Sequence, residues 1–465
     1  MKRNILAMFL VASCSMAALA WDTDGQTYET VSGLNIVNVW TFDRMHTGKA
    51  YTDHAICNTK ARTATMLDGV IYVSRSEEKA VTLDEDSDPV LQAVIHRFTV
   101  EDGTPLPDLD LTLDGAPLYG LLAAASIGRD DFGHLWVAPT TSDAKETVPV
   151  YMVDTATGAL TLVTEMSKGG YPQRTDYLDV MGDLTLEQAE CNIMTISGSN
   201  ALPGFNAVYR WHGDQGGTWE GGFDDDPYIY ILDFFPADKT GFALAPVVKM
   251  TYGLGDDDRY SGDLFYIDCN DASPVLYDVN GQIVDTFEEV DSTLVPAPRC
   301  NGLAEFKLDG RNFLAYAFTD MNDGGTCQAQ ICALDENQTL ASMTPCWTLP
   351  ANGLGDINDG GLRVHCLVVD VNIENGEEVA TLLTFKSYNG MAVYKIGKNV
   401  KPAQPGVKGD LDGNSVVDVD DLNAIINMML GKAEKTPAAD INDDGNVDVD
   451  DMNQIINIML GKNND

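Results

Sequence analysis

The sequence predicts a mainly β protein that ends in a small all-α domain, and three observations lead to this fold class. Residues 21–398 contain many short apolar or alternating runs separated by Gly, Asp, Asn and Pro, which is the pattern of β-strands and turns. Helical periodicity is almost absent from the same residues. Residues 409–465 instead repeat one unit twice, an acidic loop followed by an amphipathic helix.

The first element in chain order is a predicted signal peptide over residues 1–20. A positively charged start precedes a short apolar core, and Ala18-Leu19-Ala20 forms a cleavage site that leaves Trp21 as the first mature residue. Residues 11–14 also resemble a bacterial lipoprotein box, which would make Cys14 a lipid anchor. Both interpretations predict an extracellular or cell-surface protein, and the apolar core is too short for a spanning helix.

Residues 21–398 predict a β-propeller of about six blades, with five or seven as alternatives. A strand of the type Gly-x-aliphatic-x-Val is followed by one that ends in an Asp-Gly or Thr-Gly turn. The pair recurs over 68–73 with 97–103, 132–137 with 151–158, 261–266 with 276–281, and 309–316 with 331–336. A spacing of roughly 50 to 65 residues suits a four-stranded blade with long loops.

The ends of this region predict how the propeller closes. A strand near residues 34–42 can pair with one over 391–395, which would also protect the edge strands of an all-β protein. A pair of β-sandwiches is the competing architecture. Residues 399–408 carry Pro402, Pro405 and Gly406, so they predict a linker rather than a helix.

The duplicated acidic loops predict a calcium-binding domain over residues 409–465. Calcium takes six to eight oxygen ligands, and a twelve-residue loop supplies them from positions 1, 3, 5, 7, 9 and 12. The first loop offers Asp410, Asp412, Asn414, the carbonyl of Val416, Asp418 and Asp421. The second loop offers Asp440, Asn442, Asp444, the carbonyl of Asn446, Asp448 and Asp451. The sequence therefore predicts two calcium ions.

Two details of these loops depart from the EF-hand pattern. Position 12 is Asp instead of the longer Glu, and position 6 of the first loop is Ser415, where the sharp turn prefers Gly. We therefore expect weaker binding in the first loop. After each loop, apolar residues at i, i+3, i+4, i+7 and i+8 predict an amphipathic helix, with Gly431 and Gly461 at the expected C-caps.

This loop-helix unit, written twice without a preceding helix, resembles the type I dockerin. In that family the duplicated calcium module docks onto a cohesin domain in cellulosome-like assemblies, so the resemblance implies a cohesin-like partner and a role in polysaccharide processing. It covers residues 409–465 alone. It also implies partner-binding residues at the start of each helix, namely Val419, Asp420, Leu422, Val449, Asp450 and Met452.

Charge and cysteine content limit the function further. The formal net charge of −42 disfavours nucleic acid and anionic membranes as partners, because both require stripes of Lys and Arg. Eight cysteines lie outside the signal peptide, and none has the spacing of a zinc site. Disulfides and buried free thiols are both open interpretations in an exported chain.

No catalytic motif identifies an enzyme in residues 21–398. The sequence lacks a Gly-x-Ser-x-Gly elbow, a phosphate-binding glycine loop and a His-Glu-x-x-His helix. His46 and His54 could ligate a metal, but their loop position favours ordinary surface histidines. A region with Trp211, Trp219, Tyr228 and Tyr230 offers aromatic faces to a sugar, with core packing as the alternative.

Two functional hypotheses therefore stand side by side. In the first, a propeller without its own activity is placed in a polysaccharide-processing assembly by its calcium-folded tail. In the second, the propeller is itself a glycoside hydrolase acting on O-glycosyl bonds, with two carboxylates among the 71 acidic residues carrying the reaction. A third hypothesis is that the duplicated loops only stabilise the C-terminus.

Overall fold

The computed structural model describes most of the predicted β region and much of the C-terminal domain. The described residues are 28, 30–43, 61–75, 79–81, 90–120, 122–141, 147–168, 175, 177–196, 207–215, 222–231, 247–251, 262–269, 272–286, 302–320, 326–335, 340–355, 365–387, 389–401, 411, 417–433, 439–442, 446–460 and 462. The signal peptide, Cys14, and most of the linker lie outside them, so those predictions stand as predictions. In the described part of the chain, no helix is both long and apolar enough to span a membrane.

The β region consists of short strands, as the sequence predicts. In chain order they are β1 (Asn35–Asp43), β2 (Ala61–Leu67), β3 (Val70–Arg75), β4 (Lys79–Val81), β5 (Val90–Gln92), β6 (Val94–Thr99), β7 (Pro105–Asp110), β8 (Thr112–Leu113), β9 (Ala116–Pro117), β10 (Ser126–Arg129), β11 (Leu135–Ala138), β12 (Thr147–Val153), β13 (Ala159–Ser167), β14 (Asp179–Gly182) and β15 (Cys191–Ile196). They continue as β16 (Ala207–Asp214), β17 (Gly222–Phe223), β18 (Tyr228–Ile231), β19 (Val247–Met250), β20 (Leu264–Cys269), β21 (Ala272–Asp278), β22 (Ile283–Thr286), β23 (Leu303–Leu308), β24 (Arg311–Asp320), β25 (Thr326–Leu334), β26 (Thr344–Leu354), β27 (His365–Glu374), β28 (Glu377–Lys386) and β29 (Gly390–Gly397).

These strands form the six blades of a β-propeller. From the inner to the outer strand, blade 1 is β2-β3-β6-β7, blade 2 is β10-β11-β12-β13, and blade 3 is β14-β15-β16-β18. Blades 4 and 5 are β19-β20-β21-β22 and β23-β24-β25-β26, and blade 6 is β27-β28-β29-β1. The short strands β8 and β9 extend blade 2, β17 pairs with β16, and β4 pairs with β5. The described strands thus form a ring of separate four-stranded units instead of two packed sandwiches.

The ring closes through the N-terminal strand, which confirms the predicted pairing. β1 pairs antiparallel with β29 from Asn35 opposite Gly397 to Asp43 opposite Gly390, with a bulge near Asn38. Trp40 on β1 is buried, and its indole Nε1 donates a 2.8 Å hydrogen bond to the carbonyl of Val100 beside blade 1. The two ends of the β region therefore share one blade and lock it to the next.

Apolar clusters join each blade to its neighbour around the whole ring. At the closure, Trp40 and Phe42 of blade 6 pack with Met66 and Phe98 of blade 1, and the Phe42 and Phe98 rings meet edge to face at 6.1 Å. Five further clusters fill the other interfaces between neighbouring blades. Burial of apolar surface between sheets is the main stabilising term, so the core of this propeller is itself a ring.

The Asp-Gly pairs that mark the sequence repeat form tight hairpin turns. Asp68 and Gly69 join β2 to β3 with φ angles of 50° and 75°, and Asp309 and Gly310 join β23 to β24 with 52° and 71°. Positive φ at both central residues is the type I′ geometry, which Asn-Gly and Asp-Gly adopt at low energy. In these two copies the sequence repeat therefore begins at the hairpin between the first and second strands of a blade, whereas the turns Asp102-Gly103 and Thr157-Gly158 join the third and fourth strands.

The C-terminal domain contains the two predicted helices, α1 (Val419–Met429) and α2 (Val449–Met459). Ile425 and Ile455 are fully buried between them, together with Ala439 and Ile441. Asp448 caps α2 by accepting a hydrogen bond from the backbone N–H of Asp450. Gly431 follows α1 with φ of 68°, the left-handed conformation of a C-terminal cap.

Candidate functional site in the central channel

The inner strands of all six blades line one cavity of about 150 Å³ at the centre of the ring. Every blade runs from its inner to its outer strand, so the inner strands share one direction along the channel. Each inner strand places a polar side chain on the cavity wall: Thr65, Arg129, Asp179, Lys249, Glu305 and His365. Loop and strand ends from several blades meet in this way at the ligand sites of many propellers, which makes the channel the candidate site.

A buried ion pair joins the walls of blades 3 and 4. The ammonium group of Lys249 lies 2.7 Å from Oδ1 of Asp179, and the backbone N–H of Met250 donates to Oδ2 at 2.7 Å. Burial raises the pKa of the Asp179 carboxyl, and Lys249 opposes that shift. The short contacts on both oxygens favour the ionised carboxylate at neutral pH, because hydrogen bonds to a charged form stabilise it.

Lys249 is surrounded by carboxylates from three blades. Burial opposes its charge, but Asp179, Asp131 and Glu305 outweigh burial and raise the pKa of the Lys249 ammonium group. Glu305 is half-buried on β23 in blade 5, and Asp131 follows β10 in blade 2. The channel thus holds one cation among acids that approach from different sides, an arrangement suited to reactions that move protons.

Arg129 crosses part of the channel from blade 2 to blade 6. Its guanidinium forms an ion pair with Asp370, and Nη2 donates a hydrogen bond of 3.2 Å to the carbonyl of Val369. The inner strand of blade 1 lies between these two blades in the ring. The Arg129 side chain therefore spans a chord across one sector of the channel.

Two aromatic nitrogens in the cavity wall have no hydrogen-bond partner among the described residues. They are Nε1 of Trp136 and Nδ1 of His365. An unpaired buried polar group costs about 1 to 3 kcal/mol, so this wall is not optimised for stability alone. The Trp136 ring covers Gly128, where a Cβ atom would lie 2.3 Å from the ring, and only glycine fits there.

His365 is neutral in the folded protein. It is fully buried, and burial together with the charge of Lys386 lowers its pKa to about 3. Its Nε2 atom lies 2.5 Å from the hydroxyl of Thr384, and the tautomer of the ring decides which of the two groups donates.

A second polar cluster is formed by Asp130, His134 and Asp183. These residue types can bind a metal, but here the two carboxylates accept hydrogen bonds from backbone N–H groups. The ligand atoms of the three residues lie within 4.8 Å of one another. Asp130 Oδ1 accepts hydrogen bonds from the N–H groups of Phe132 and His134, and its Oδ2 accepts from Leu184 N–H and lies 2.7 Å from His134 Nδ1. Asp183 likewise accepts four hydrogen bonds from its own turn, residues 185–188. The cluster fastens blade 2 to blade 3.

The predicted calcium loops are closed by their twelfth residues. Asp421 is fully buried and accepts hydrogen bonds from the N–H groups of Leu411 at 2.5 Å and Asp418 at 2.9 Å. Asp451 is fully buried as well and accepts from Ile441 at 2.7 Å and from Asp448 at 2.9 Å. In both copies, position 12 therefore binds the backbone of positions 2 and 9, which draws the loop into a ring.

The remaining predicted ligands divide into two groups. Asp418, Asp440, Asn442, Asn446 and Asp448 are described and lie at the surface or half-buried around these rings. Asp410, Asp412, Asn414, Val416 and Asp444 lie outside the described residues. A set of carboxylate, amide and carbonyl oxygens matches the preference of calcium, so the described part of the loops fits the ion.

The predicted partner-binding residues lie at matching positions of the two helices. Val419 and Val449 are 56% and 51% exposed, Asp450 is exposed, and Leu422 and Met452 are half-buried. The backbone of Asp420 lies in α1. Exposed apolar side chains at the start of both helices give the domain a duplicated surface.

The other sequence candidates do not converge on one site. Trp211 is fully buried and donates to the carbonyl of Ser167, so core packing explains it. Tyr228 is 56% exposed on blade 3, with Tyr230 two residues along the same strand. Trp219, His46 and His54 lie outside the described residues. Among the residues whose side chains the structure describes, five cysteines are free thiols, namely Cys191, Cys327, Cys332, Cys346 and Cys366, and all except Cys346 are buried.

Comparison with known proteins gives only distant similarities. A DUF4623 family protein from Bacteroides eggerthii is 13% identical, with a TM-score of 0.48 over 74% of this chain and 71% of that chain. An endo-arabinase from Bacteroides thetaiotaomicron is 10% identical, with a TM-score of 0.33 over 73% of this chain and 94% of that one. A xylan β-1,4-xylosidase from Bacillus halodurans is 13% identical, with a TM-score of 0.31 over 58% of this chain and 51% of that one.

No protein family and no curated protein matches the sequence. Alignments this remote do not transfer an activity. The blade count therefore rests on the strand pairing described above, and the function rests on the residues of the channel and of the loops.

Proposed function

We propose that the propeller binds a saccharide in its central channel and hydrolyses a glycosidic bond there. The observation that supports this proposal is the group of Asp179, Lys249 and Glu305, in which two carboxylates from different blades share one cation on the wall of a single cavity. Glycoside hydrolysis needs two carboxyl groups with different protonation states. We assign the ionised role to Asp179, which Lys249 and the Met250 N–H hold as a carboxylate, and the protonated role to Glu305.

The environments of the two acids suggest their roles. Lys249 and the Met250 N–H hold Asp179 as a carboxylate, which suits it to assist attack at the anomeric carbon. Glu305 then protonates the leaving glycosidic oxygen. Water is added across the bond in total: the leaving oxygen gains a proton and the anomeric carbon gains the hydroxyl group.

Incubation of the full chain with a panel of oligosaccharides and polysaccharides tests the proposal. We expect reducing sugar to be released from at least one glycan. Glu305→Gln keeps the size of the side chain but removes its acid function, so it should slow release by about 10² to 10⁴-fold. Glu165→Gln, on the exposed face of the outer strand of blade 2, is the matched control and should leave the rate unchanged.

Two results would contradict the proposal that the channel acids hydrolyse a glycan. One is an equal rate for Glu305→Gln and the unchanged chain, which would place the chemistry elsewhere. The other is glycan binding without any release, which would favour a binding module. If no sugar is released, isothermal titration with the same glycans shows whether the chain binds a glycan or neither binds nor hydrolyses it.

We also propose that residues 409–465 bind two calcium ions and dock the exported protein to a cohesin-like domain. The ring closure by Asp421 and Asp451 supports the metal part, because it brings the start and the end of each twelve-residue loop together, as a calcium loop requires. A bound ion would stabilise both the loop and the helix that follows it. The duplicated exposed surface at Val419 and Val449 supports the docking part.

A pull-down in calcium and in EDTA tests the docking. We expect the full chain to retain a type I cohesin domain in calcium and to release it in EDTA. A Val419→Asp and Val449→Asp double variant should bind calcium normally but lose the cohesin. Equal retention of the partner in both buffers, or by the double variant, would contradict the proposal.

A further inference from the structure

The charged residues that line the described part of the channel are mostly acids. Four of them carry a carboxyl group and two carry a cation, namely Asp130, Asp131, Asp179 and Glu305 against Arg129 and Lys249. His365 adds no charge at neutral pH, because burial lowers its pKa to about 3. Asp370 follows the lining residue Val369 and adds a fifth carboxylate where it pairs with Arg129. The described wall therefore has an excess of negative charge.

Both cations of this wall are engaged by carboxylates. The ammonium group of Lys249 lies 2.7 Å from Oδ1 of Asp179. The Arg129 guanidinium pairs with Asp370 and donates a hydrogen bond of 3.2 Å to the carbonyl of Val369. Proteins bind carboxylate and sulfate groups of ligands mainly through charge-assisted hydrogen bonds from Arg and Lys. To use either cation here, an acidic ligand would have to displace a wall carboxylate and then lie beside it.

Titratable groups in the wall respond to this excess of acids. Burial opposes the charge of Lys249, but Asp179, Asp131 and Glu305 outweigh burial and raise the pKa of its ammonium group. Burial raises the pKa of the Tyr177 hydroxyl, and the charge of Asp179 raises it further. Carboxylates thus favour positive charge and disfavour negative charge at two different points of the wall.

One further described cation acts on the wall from blade 6. Lys386 is fully buried on β28, the strand next to the inner strand of that blade, and its charge contributes to the low pKa of His365. It does not line the cavity. Counted together with Arg129 and Lys249, it leaves three cations against the five carboxylates. A cleft with an excess of one charge repels ligands of the same sign.

We propose that the channel selects glycans without negative charge and rejects those that carry uronic acid or sulfate groups. This inference rests on the proposed hydrolase function and names its substrate class. The hydroxyl groups of a neutral sugar can donate to wall carboxylates and leave both ion pairs in place. Arg129 and Asp370 act as specificity residues, because their pairing keeps the guanidinium from an acidic ligand.

A pair of substrates that differ in one carboxyl group tests the charge selection. The full chain is incubated with an oligosaccharide from the glycan class that it cleaves, ending in a uronic acid, and with the same oligosaccharide after reduction of that carboxyl group to an alcohol. We expect kcat/KM to be at least about tenfold lower for the acidic form at low salt, mainly through KM. The difference should shrink as salt is raised from 0.01 M to 1 M, because the Debye length falls from about 30 Å to about 3 Å.

Variants of the wall identify the residues that set this ratio. Asp370→Asn removes a carboxylate and releases the Arg129 guanidinium, so it should bring the two kcat/KM values closest together. Asp131→Asn keeps an oxygen for the Gly182 N–H, which Asp131 accepts at 2.7 Å, and should narrow the ratio less. Glu165→Gln removes the same charge from the outer strand of blade 2 and should leave the ratio unchanged. Thermal melting of each variant confirms that it is folded.

The outcomes separate the charge selection from the hydrolase. An equal or faster reaction with the acidic form, or a ratio that does not respond to salt, would overturn the charge selection and leave the hydrolase intact. The same follows if folded Asp370→Asn and Asp131→Asn both keep the ratio of the unchanged chain. A chain that neither binds nor cleaves any glycan removes the hydrolase, and the charge selection with it.

Discussion

The propeller and the C-terminal domain are held together in contrasting ways. The propeller is a closed ring in which each blade packs against two neighbours, and its N-terminal strand β1 completes the last blade. The C-terminal domain has two helices of 11 residues and a small core centred on Ile425 and Ile455. In its two loops, the fully buried carboxylates of Asp421 and Asp451 accept hydrogen bonds from the backbone and so close each loop.

This contrast shows where each region is sensitive. A ring of apolar interfaces keeps its fold when one surface charge is lost, because stability is distributed over six clusters. A small domain has too little apolar area to fold on that term alone, and buried carboxylates favour a bound cation. We therefore expect the propeller to respond mainly to changes in its buried channel and the C-terminal domain to respond to calcium.

The largest expected effect is the loss of both loop closures. Asp421→Ala together with Asp451→Ala removes the residues that bind positions 2 and 9 of each loop, so the helices should unfold even in calcium. Far-ultraviolet circular dichroism should show loss of helical signal while the β signal remains. Asp450→Ala removes an exposed carboxylate on α2 and is the control, so it should keep the helices. A helical signal that persists in the double variant would show that the C-terminal domain does not depend on its loop carboxylates.

The next effect concerns the buried pair of the channel. Lys249→Met leaves the Asp179 carboxylate buried without its cation, which should lower the free energy of unfolding by about 3 to 5 kcal/mol. Lys249→Met with Asp179→Asn should recover part of that loss, since Asn still accepts the Met250 N–H. Urea unfolding followed by tryptophan fluorescence measures both.

A surface pair provides the comparison for Lys249. Lys395 is 37% exposed and pairs with Glu374, so Lys395→Met should change the free energy of unfolding by less than about 1 kcal/mol. Similar losses for Lys249→Met and Lys395→Met would show that the channel pair has no special role in stability.

A third prediction concerns acid pH. Burial lowers the pKa of His365 to about 3, against an ordinary value near 6.5, so between these values the unfolded chain binds a proton that the folded chain does not. The contribution of His365 to the free energy of unfolding is therefore fully present above pH 6.5. It falls as the pH is lowered, by about 2.5 kcal/mol at pH 4.5. His365→Gln should flatten this part of the pH profile of urea unfolding, and an unchanged slope in the variant would contradict it.

The smallest effect separates the two loops. Ser415→Gly places the preferred residue at position 6 of the first loop, and Gly445→Ser makes the reverse change in the second loop. A left-handed residue other than glycine costs about 1 to 2 kcal/mol, so each change should alter the calcium affinity of its loop about five- to thirtyfold, in opposite directions. Calorimetric titration checks both, and equal affinities in the three chains would remove position 6 as the difference between the loops.

Local patterns in the sequence predict the fold well because they report local geometry. The Asp-Gly pairs mark hairpins such as Asp68-Gly69, and the apolar spacing around Ile425 and Ile455 marks the two helices. The strand near residues 34–42 was expected to close the ring, and β1 does so. Blade 3 has no copy of the sequence repeat, because Cys191–Ile196 and Ala207–Asp214 lack the Asp-Gly signature.

The channel residues could not be predicted in the same way. Arg129, Asp179, Lys249, Glu305 and His365 lie on five different inner strands, and only ring closure brings them together. Among so many acids, no local feature distinguishes Asp179 or Glu305 from surface carboxylates. One weak signal exists: Lys249 is a lone charge within the apolar run Val247–Met250, and a charge inside a short apolar strand indicates a buried partner.

Amide hydrogen exchange on the full chain, compared in calcium and in EDTA, tests the contrast between the two regions most directly. We expect protection over 419–429 and 449–459 to be lost in EDTA, while protection of the propeller strands, including β1 and β29, stays the same. Equal protection of both helices in the two buffers, or loss of protection throughout the propeller, would contradict it.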